Sequence, residues 1–316
     1  MKKLIVLFVC GAFILAGCKQ EPIVDPEEDC QVVIFFSAKT PLTKSSLKST
    51  TPASQEEKDL TSITLFAVDG TDNVVGEPFH FEGTDLTSLE TTGSTVVTIK
   101  KKVTKFYAVA NASTELATEM ETAADVSALL ALAEDFDGTS ISSFLMSGIA
   151  DIIVTGNVYS AHIKLARAVA KIDIVGDNDF VIESVTVKNT PDQGYVFPQD
   201  PFSVPNNMID YATVESLNPE ESLDPTLYVP ENSKSNPTKF FVVGTFKDKR
   251  AEYTIELSTT KEGVIDIMRN TYYKVSVSPV TEVECTITIQ VLDWEDGPKL
   301  DEYEIPDEEF EDIIKP

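Results

Sequence analysis

The sequence predicts a mostly β protein built as two tandem antiparallel β-sandwich domains with one short helix in the first. Three observations carry this. Short runs rich in Val, Ile, Phe, Tyr and Thr recur along almost the whole chain and are bounded by Gly, Pro, Asn and Asp, the pattern of strands separated by turns. One window, 121–136, departs from that pattern: Val126, Leu129, Leu130 and Ala133 stand at i, i+3, i+4 and i+7, which predicts an amphipathic helix. The length, 316 residues, suits about two domains rather than one.

In chain order, residues 31–37 (QVVIFFS) form a continuous apolar run, as a strand buried on both faces shows. Residues 39–58 are rich in Ser, Thr and Lys, with Pro41 and Pro52, and read as an exposed loop. Residues 62–69 are a strand, followed by a hairpin turn over 70–73. Residues 94–100 and 105–111 are strands, the helix ends near Gly138, and 143–148 and 152–156 return to strand. Residues 160–175 read as one or two long strands, although their alanines leave a helix open. Residues 180–189 alternate, and 191–218, rich in Pro, Asn and Asp, read as a long ordered loop. Strands follow at 227–232, 239–246, 251–257 and 272–279. In 282–294, Val283, Cys285, Ile287, Ile289 and Val291 share one face while Glu284, Thr286, Thr288 and Gln290 share the other, a half-buried strand. The boundary falls near residue 158, giving an N-terminal sandwich over 30–157 and a C-terminal one over 158–297.

The N-terminus adds an export signal. Lys2 and Lys3 precede an apolar stretch over 4–15, and Ala16 and Gly17 precede Cys18. The stretch has the length of a signal peptide and is short for a membrane span. Its end resembles the lipobox of bacterial lipoproteins, which implies that residues 1–17 are removed and that Cys18 carries a diacylglycerol. Each buried acyl CH₂ contributes ~0.8 kcal/mol, so several chains on one cysteine anchor durably. Residues 18–29 then form a Pro-containing acidic tether. No other segment approaches 18 uninterrupted apolar residues, so no transmembrane helix is expected.

Cleavage leaves 299 residues, and the net charge of −27 becomes 23 − 52 = −29 once Lys2 and Lys3 are gone. Such a surface repels phosphate backbones, and nucleic acid is not an expected partner. Four cysteines are present. Cys10 leaves with the signal peptide and Cys18 is lipidated. Cys30 and Cys285 remain, in an oxidising compartment where a disulfide and a pair of buried thiols are both open.

Catalytic patterns are absent from the sequence. His80 and His162 each stand alone in a strand context, without a second histidine at ligand spacing. Residues 135–138 (DFDG) and 69–72 (DGTD) lack the full calcium-loop pattern and read as turns. Nucleophile elbows, phosphate loops and dinucleotide fingerprints do not occur. Neither an enzyme nor a cofactor or metal is expected.

Five segments bring a family into view: 106–111 (FYAVAN), 144–148 (FLMSG), 165–172 (LARAVAKI), 227–232 (LYVPEN) and 269–273 (RNTYY) leading into an alternating strand. In that order, behind a lipobox, they resemble the fimbrillins, the FimA/Mfa-like lipoprotein subunits of type V pili, over nearly all of the mature chain. The resemblance implies two transthyretin-like sandwiches and delivery to the outer membrane as a lipoprotein precursor. It also implies proteolytic removal of the lipidated N-terminus together with the first strand. The vacated groove then accepts a strand from the next subunit, which is pairing of an extended segment onto an open sheet edge. Head-to-tail contacts of this kind do not close, so they build a fibre.

Carried onto this chain, the removable strand is Val32, Val33, Ile34, Phe35 and Phe36. Cleavage falls in the loop after it, at Lys39, Lys44, Lys48 or Lys58. Stalk subunits of the family are cut after arginine, and here no arginine lies between Cys18 and Arg167; a lysine-directed protease, another protease or no cleavage all remain open. A donor at the C-terminus would draw on Leu300, Tyr303, Ile305 and Phe310, with Ile313 and Ile314. Pro306 and eight acids between Asp301 and Asp312 suit a solvated tail (298–316) equally well. Implied partners are other pilus subunits, the outer membrane through the lipid, and host or bacterial surface ligands. The alternative is a tethered surface lipoprotein that binds glycan or host protein and never polymerises.

Overall fold

The computed structural model describes residues 25–37, 51–54, 56–138, 143–177, 179–217, 222–223, 225–259 and 262–295. Cys18, Lys39, Lys44, Lys48 and the tail residues Leu300, Tyr303, Ile305 and Phe310 lie outside them. The chain begins with β1 (Asp29–Ser37), β2 (Thr51–Pro52), a 3₁₀ turn (Glu56–Lys58), β3 (Ile63–Asp69), β4 (Phe79–Phe81), α1 (Gly83–Thr92), β5 (Ser94–Lys100) and β6 (Val103–Ala110). Then come α2 (Thr114–Met120), α3 (Val126–Ala131), β7 (Ala133–Asp135), β8 (Met146–Asp151), β9 (Ile153–Thr155), β10 (Val158–Lys164) and β11 (Ala166–Arg167). The second half holds β12 (Val169–Gly176), β13 (Phe180–Lys188), β14 (Thr190–Pro191), β15 (Gln193–Tyr195), β16 (Met208–Ile209) and β17 (Val214–Glu215). It closes with β18 (Thr226–Pro230), β19 (Lys239–Phe246), β20 (Lys249–Glu256), β21 (Ser258–Thr259), β22 (Gly263–Val264), β23 (Thr271–Pro279) and β24 (Cys285–Glu295).

Four sheets pack as two sandwiches. The first pairs the sheet β5-β1-β10-β9 with β11-β8-β6-β3-β4, and the second pairs β18-β12-β23-β24-β2 with β17-β13-β19-β20. Both follow one six-strand plan. β1, β3, β5, β6, β8 and β10 alternate between their two sheets in the same order as β12, β13, β18, β19, β20 and β23. In each, the first strand lies between an antiparallel neighbour (β5 or β18) and a parallel one (β10 or β23). The sandwiches are thus antiparallel apart from β1 with β10 in the first, and β12 with β23 and the short β2 with β24 in the second.

Cores follow the alternation of the strands. Val32, Ile34 and Phe36 of β1 point into a core with Leu65, Phe106, Met146 and Ile163. The second core is built on Ile172, Ile174, Phe240 and Val275. A third apolar group lies beneath α2 and α3, where Leu116 and Leu129 cover Phe66, Tyr107 and Phe197.

Among the described residues three helices are present where the spacing predicted one. α3 begins at its cap, Asp125 Oδ1 accepting from Ala128 N at 2.9 Å, but ends at Ala131, so Ala133 lies in β7 against β15. α2 is capped by Ser113, whose Oγ accepts from Leu116 N at 3.1 Å; its buried pair Leu116 and Met120 is too brief a period to register. α1 is Thr-rich, buries only Leu86 and Leu89, and ends at Gly93 with φ 65°, the left-handed residue that stops helices. The changeover between sandwiches also differs from the expected 157/158 boundary. β10 pairs with β1, so 158–164 belongs with the first sandwich, and the chain passes to the second at Ala168. No Gly- or Pro-rich linker marks that point, because the strands are joined directly.

Candidate functional site

β1 is an interior strand. Its seven residues from Asp29 to Phe35 run antiparallel to β5, Asp29 opposite Lys100 and Phe35 opposite Ser94. On the other side Val32 to Ser37 run parallel to β10, Tyr159 through Lys164. β5 and β10 are joined in the sheet only through β1. All five predicted residues are buried, from 0% exposure at Val32 and Ile34 to 7% at Phe35. Phe35 faces away from the core and stacks on His162 of β10, ring centroids 4.8 Å apart and planes 23° apart. His162 therefore serves the strand's packing, a role its isolated place in the sequence does not disclose.

The start of β1 is held by charge as well as by the ladder. The β5–β6 turn presents Lys100, Lys101 and Lys102, and the chain entering β1 presents Asp29, Glu28 and Glu27. The six pair one to one: Lys100 with Asp29 at 2.7 Å, Lys101 with Glu28 at 2.7 Å and Lys102 with Glu27 at 2.9 Å. Main-chain bonds continue the ladder, Lys101 N donating to Glu28 O at 2.9 Å and Lys102 N to Pro26 O at 3.0 Å. Hydrogen bonds to Asp29 and Glu28 hold the Lys100 and Lys101 ammoniums above the ordinary lysine value. The sequence reading passed over this match, although a run of acids ahead of one strand and a run of lysines after another is visible in the letters.

β2 pairs parallel with the end of β24, Thr51 opposite Trp294. Glu57, 1% exposed, enters the join between the sandwiches. Its Oε1 accepts from Lys171 Nζ at 2.8 Å and Tyr228 OH at 2.6 Å. Its Oε2 accepts from Ser54 N at 2.7 Å and Trp294 Nε1 at 3.2 Å. Arg167 Nε donates to the Glu57 carbonyl at 2.9 Å, and its guanidinium lies 4.3 Å from the Trp294 ring centroid. Burial alone raises the Glu57 pKa, but the bonds from Lys171 and Tyr228 outweigh it and leave the carboxyl below its ordinary value. Tyr228 is pushed up, by burial first and then by its bond to Glu57. Lys58 stands half-buried in the same turn.

Cys30 and Cys285 are free, so the disulfide left open by the sequence does not form. They lie on β1 and β24, strands of different sheets, and burial raises both thiols above the usual range. Of the two acidic tetrads, 69–72 is the expected turn, where Asp69 Oδ1 accepts from Thr71 N, Thr71 Oγ1 and Asn73 N; 135–138 is not, since Asp135 ends β7 and accepts from Gln193 across the pair with β15. His80 Nδ1 contacts Thr64 Oγ1 at 3.2 Å. Among the described residues no three potential ligands converge on a metal position.

No family model matches the sequence, and no curated protein does. Solved structures are similar across most of the chain. A Bacteroides eggerthii protein assigned to cell adhesion aligns with a TM-score of 0.62 at 15% identity, covering 88% of this chain and 99% of that one. A Parabacteroides distasonis protein with the same assignment gives 0.61 at 16% identity, covering 86% and 98%. The tip fimbrial protein Mfa3 of Porphyromonas gingivalis, solved with a C-terminal truncation, gives 0.58 at 16% identity, covering 84% and 100%. The similarity runs along almost the full length of each of these proteins, and the chain shares their fold, that of a tip fimbrial protein among them.

Proposed function

We propose that this chain is a cell-surface fimbrial subunit, exported as a lipoprotein precursor, whose two sandwich domains assemble by strand replacement. In this reading Cys18 carries the lipid at the outer membrane. A protease cuts after β1, and the departing strand leaves a slot that a strand of the next subunit fills. The reading rests on one observation: β1 is the sole bridge between β5 and β10, and it continues into the chain only through residues 38–50. The same geometry makes trimming and filling one process. Five buried apolar side chains at ~1.5–3 kcal/mol each sum to roughly 10 kcal/mol, comparable to the whole stability of a typical domain, about 5–15 kcal/mol. A subunit that lost β1 without a replacement would not hold its first sandwich.

Among the lysines named from sequence, Lys39, Lys44 and Lys48 suit cleavage better than Lys58, which the Glu57 turn withholds. The tail residues Leu300, Tyr303, Ile305 and Phe310 are the donor segment we propose, and a share in adhesion is part of the same reading, supported by structural neighbours assigned to cell adhesion. N-terminal sequencing of protein recovered from the cell surface tests this. A start within 40–51, with heat-labile ladders on gels, is expected. A blocked Cys18 on all surface material, with monomers only, would overturn it.

A further inference from the structure

The lysine run at the β5–β6 turn has no role in holding the first sandwich once β1 has gone, because its partners leave with the strand. Lys100, Lys101 and Lys102 would then stand unpaired at one mouth of the slot, on a chain whose formal charge is −27. We propose that these three lysines are a carboxylate-reading clamp that selects and aligns the incoming strand of a second subunit. The strand they fit is an extended segment with consecutive acids at the end lying over the β5–β6 turn and apolar side chains along the slot. The inference rests on the strand-replacement reading and adds to it the residues that choose the partner.

The argument is one of register and rate rather than of affinity. The three pairs are solvent-exposed, with the lysine side chains 40%, 20% and 33% accessible, and exposed pairs contribute little to stability. Charge at the rim instead steers encounter and penalises the wrong partner. The pairs also run in order along two antiparallel segments, so a slip of one residue leaves one lysine and one acid without a partner. The same slip would turn Val32, Ile34 and Phe36 out of the core. Charge and apolar pattern therefore enforce one alignment, and they do so from opposite ends of the strand.

The test uses the full mature chain with a recognition site for a sequence-specific protease placed within 38–50. The chain is nicked there, and uptake of fluorescent peptides of residues 25–37, kept reduced, is followed. The native peptide is expected to enter at least about tenfold faster at low salt than one carrying Glu27→Gln, Glu28→Gln and Asp29→Asn. The difference should collapse toward 1 M salt, where the screening length is about 3 Å. In a chain with Lys100→Glu, Lys101→Glu and Lys102→Glu the preference should invert toward a peptide carrying Glu27→Lys, Glu28→Lys and Asp29→Lys. Equal entry of native and neutralised peptides would overturn the clamp while leaving the slot intact. Failure of every peptide to enter, with the nicked segment retained, would overturn the slot and the clamp with it.

Discussion

Glu57 shows what one side chain does at a join. Its carboxylate takes four donors, from Lys171, Tyr228, Ser54 and Trp294, and these belong to strands of the second sandwich and to the segment entering the first. Removing one member of a buried ion pair leaves the other charge unmatched, typically at 3–5 kcal/mol. Glu57→Ala is therefore expected to cost about 3–5 kcal/mol in chemical unfolding, and Glu57→Gln less, since an amide still accepts. The sign of the pH dependence follows from the depressed pKa. The folded carboxyl titrates below the ordinary value of 4.5, so its contribution is complete above that pH and is lost as pH falls through the folded pKa. Acid unfolding of Glu57→Gln should begin no earlier than that of the native chain relative to its own neutral stability; a steeper acid loss in the variant would contradict this account. None of this was legible in the letters, where Glu57 is one of 52 acids in a polar stretch that reads as exposed loop. Lys171 hid likewise inside an apolar strand pattern.

At the level of the element, strands declared themselves through β-branched and aromatic runs, and the apolar run of β1 disclosed burial on both faces. What stayed hidden depends on pairing. Nothing in Val158–Lys164 says that it lies parallel to β1, since partner and direction are chosen by the whole sheet. The short helices were lost because their buried faces span two residues each, too few to set a period against threonine-rich surroundings. Close packing of sheets is equally silent. A Cβ at Gly148 of β8 would stand 2.4 Å from Lys164 O and 2.9 Å from Ile163 Cγ2, so β8 and β10 approach there because the residue has no side chain. Gly148→Ala should force them apart at a cost of roughly 1–3 kcal/mol, read as a lowered midpoint in thermal unfolding. An unchanged midpoint would mean that the two strands have slack.

For the whole molecule, the repeated plan separates two strands that occupy equivalent places. β12 sits between β18 and β23 as β1 sits between β5 and β10, but it has strands of the fold on both sides of it in the sequence, whereas β1 is the first strand described. Stripping β1 from a nicked chain should raise amide exchange in β3, β6 and β8 while β13, β19 and β20 keep their protection, measured by mass spectrometry. Uniform loss across both sandwiches would show that the second cannot stand without the first. The five motifs led to the fold as a whole, yet the plan's repetition was invisible in them because its two copies share topology and not residues.

The chain has one tryptophan, and Trp294 lies 2% exposed between Phe144, Tyr228 and Arg167. It is carried on a strand of the second sandwich, yet it packs into the core of the first. The molecule thus places its only indole chromophore on its internal seam, so indole emission, excited to the red of the band of its nine tyrosines, becomes a gauge of whether the two halves remain seated on each other.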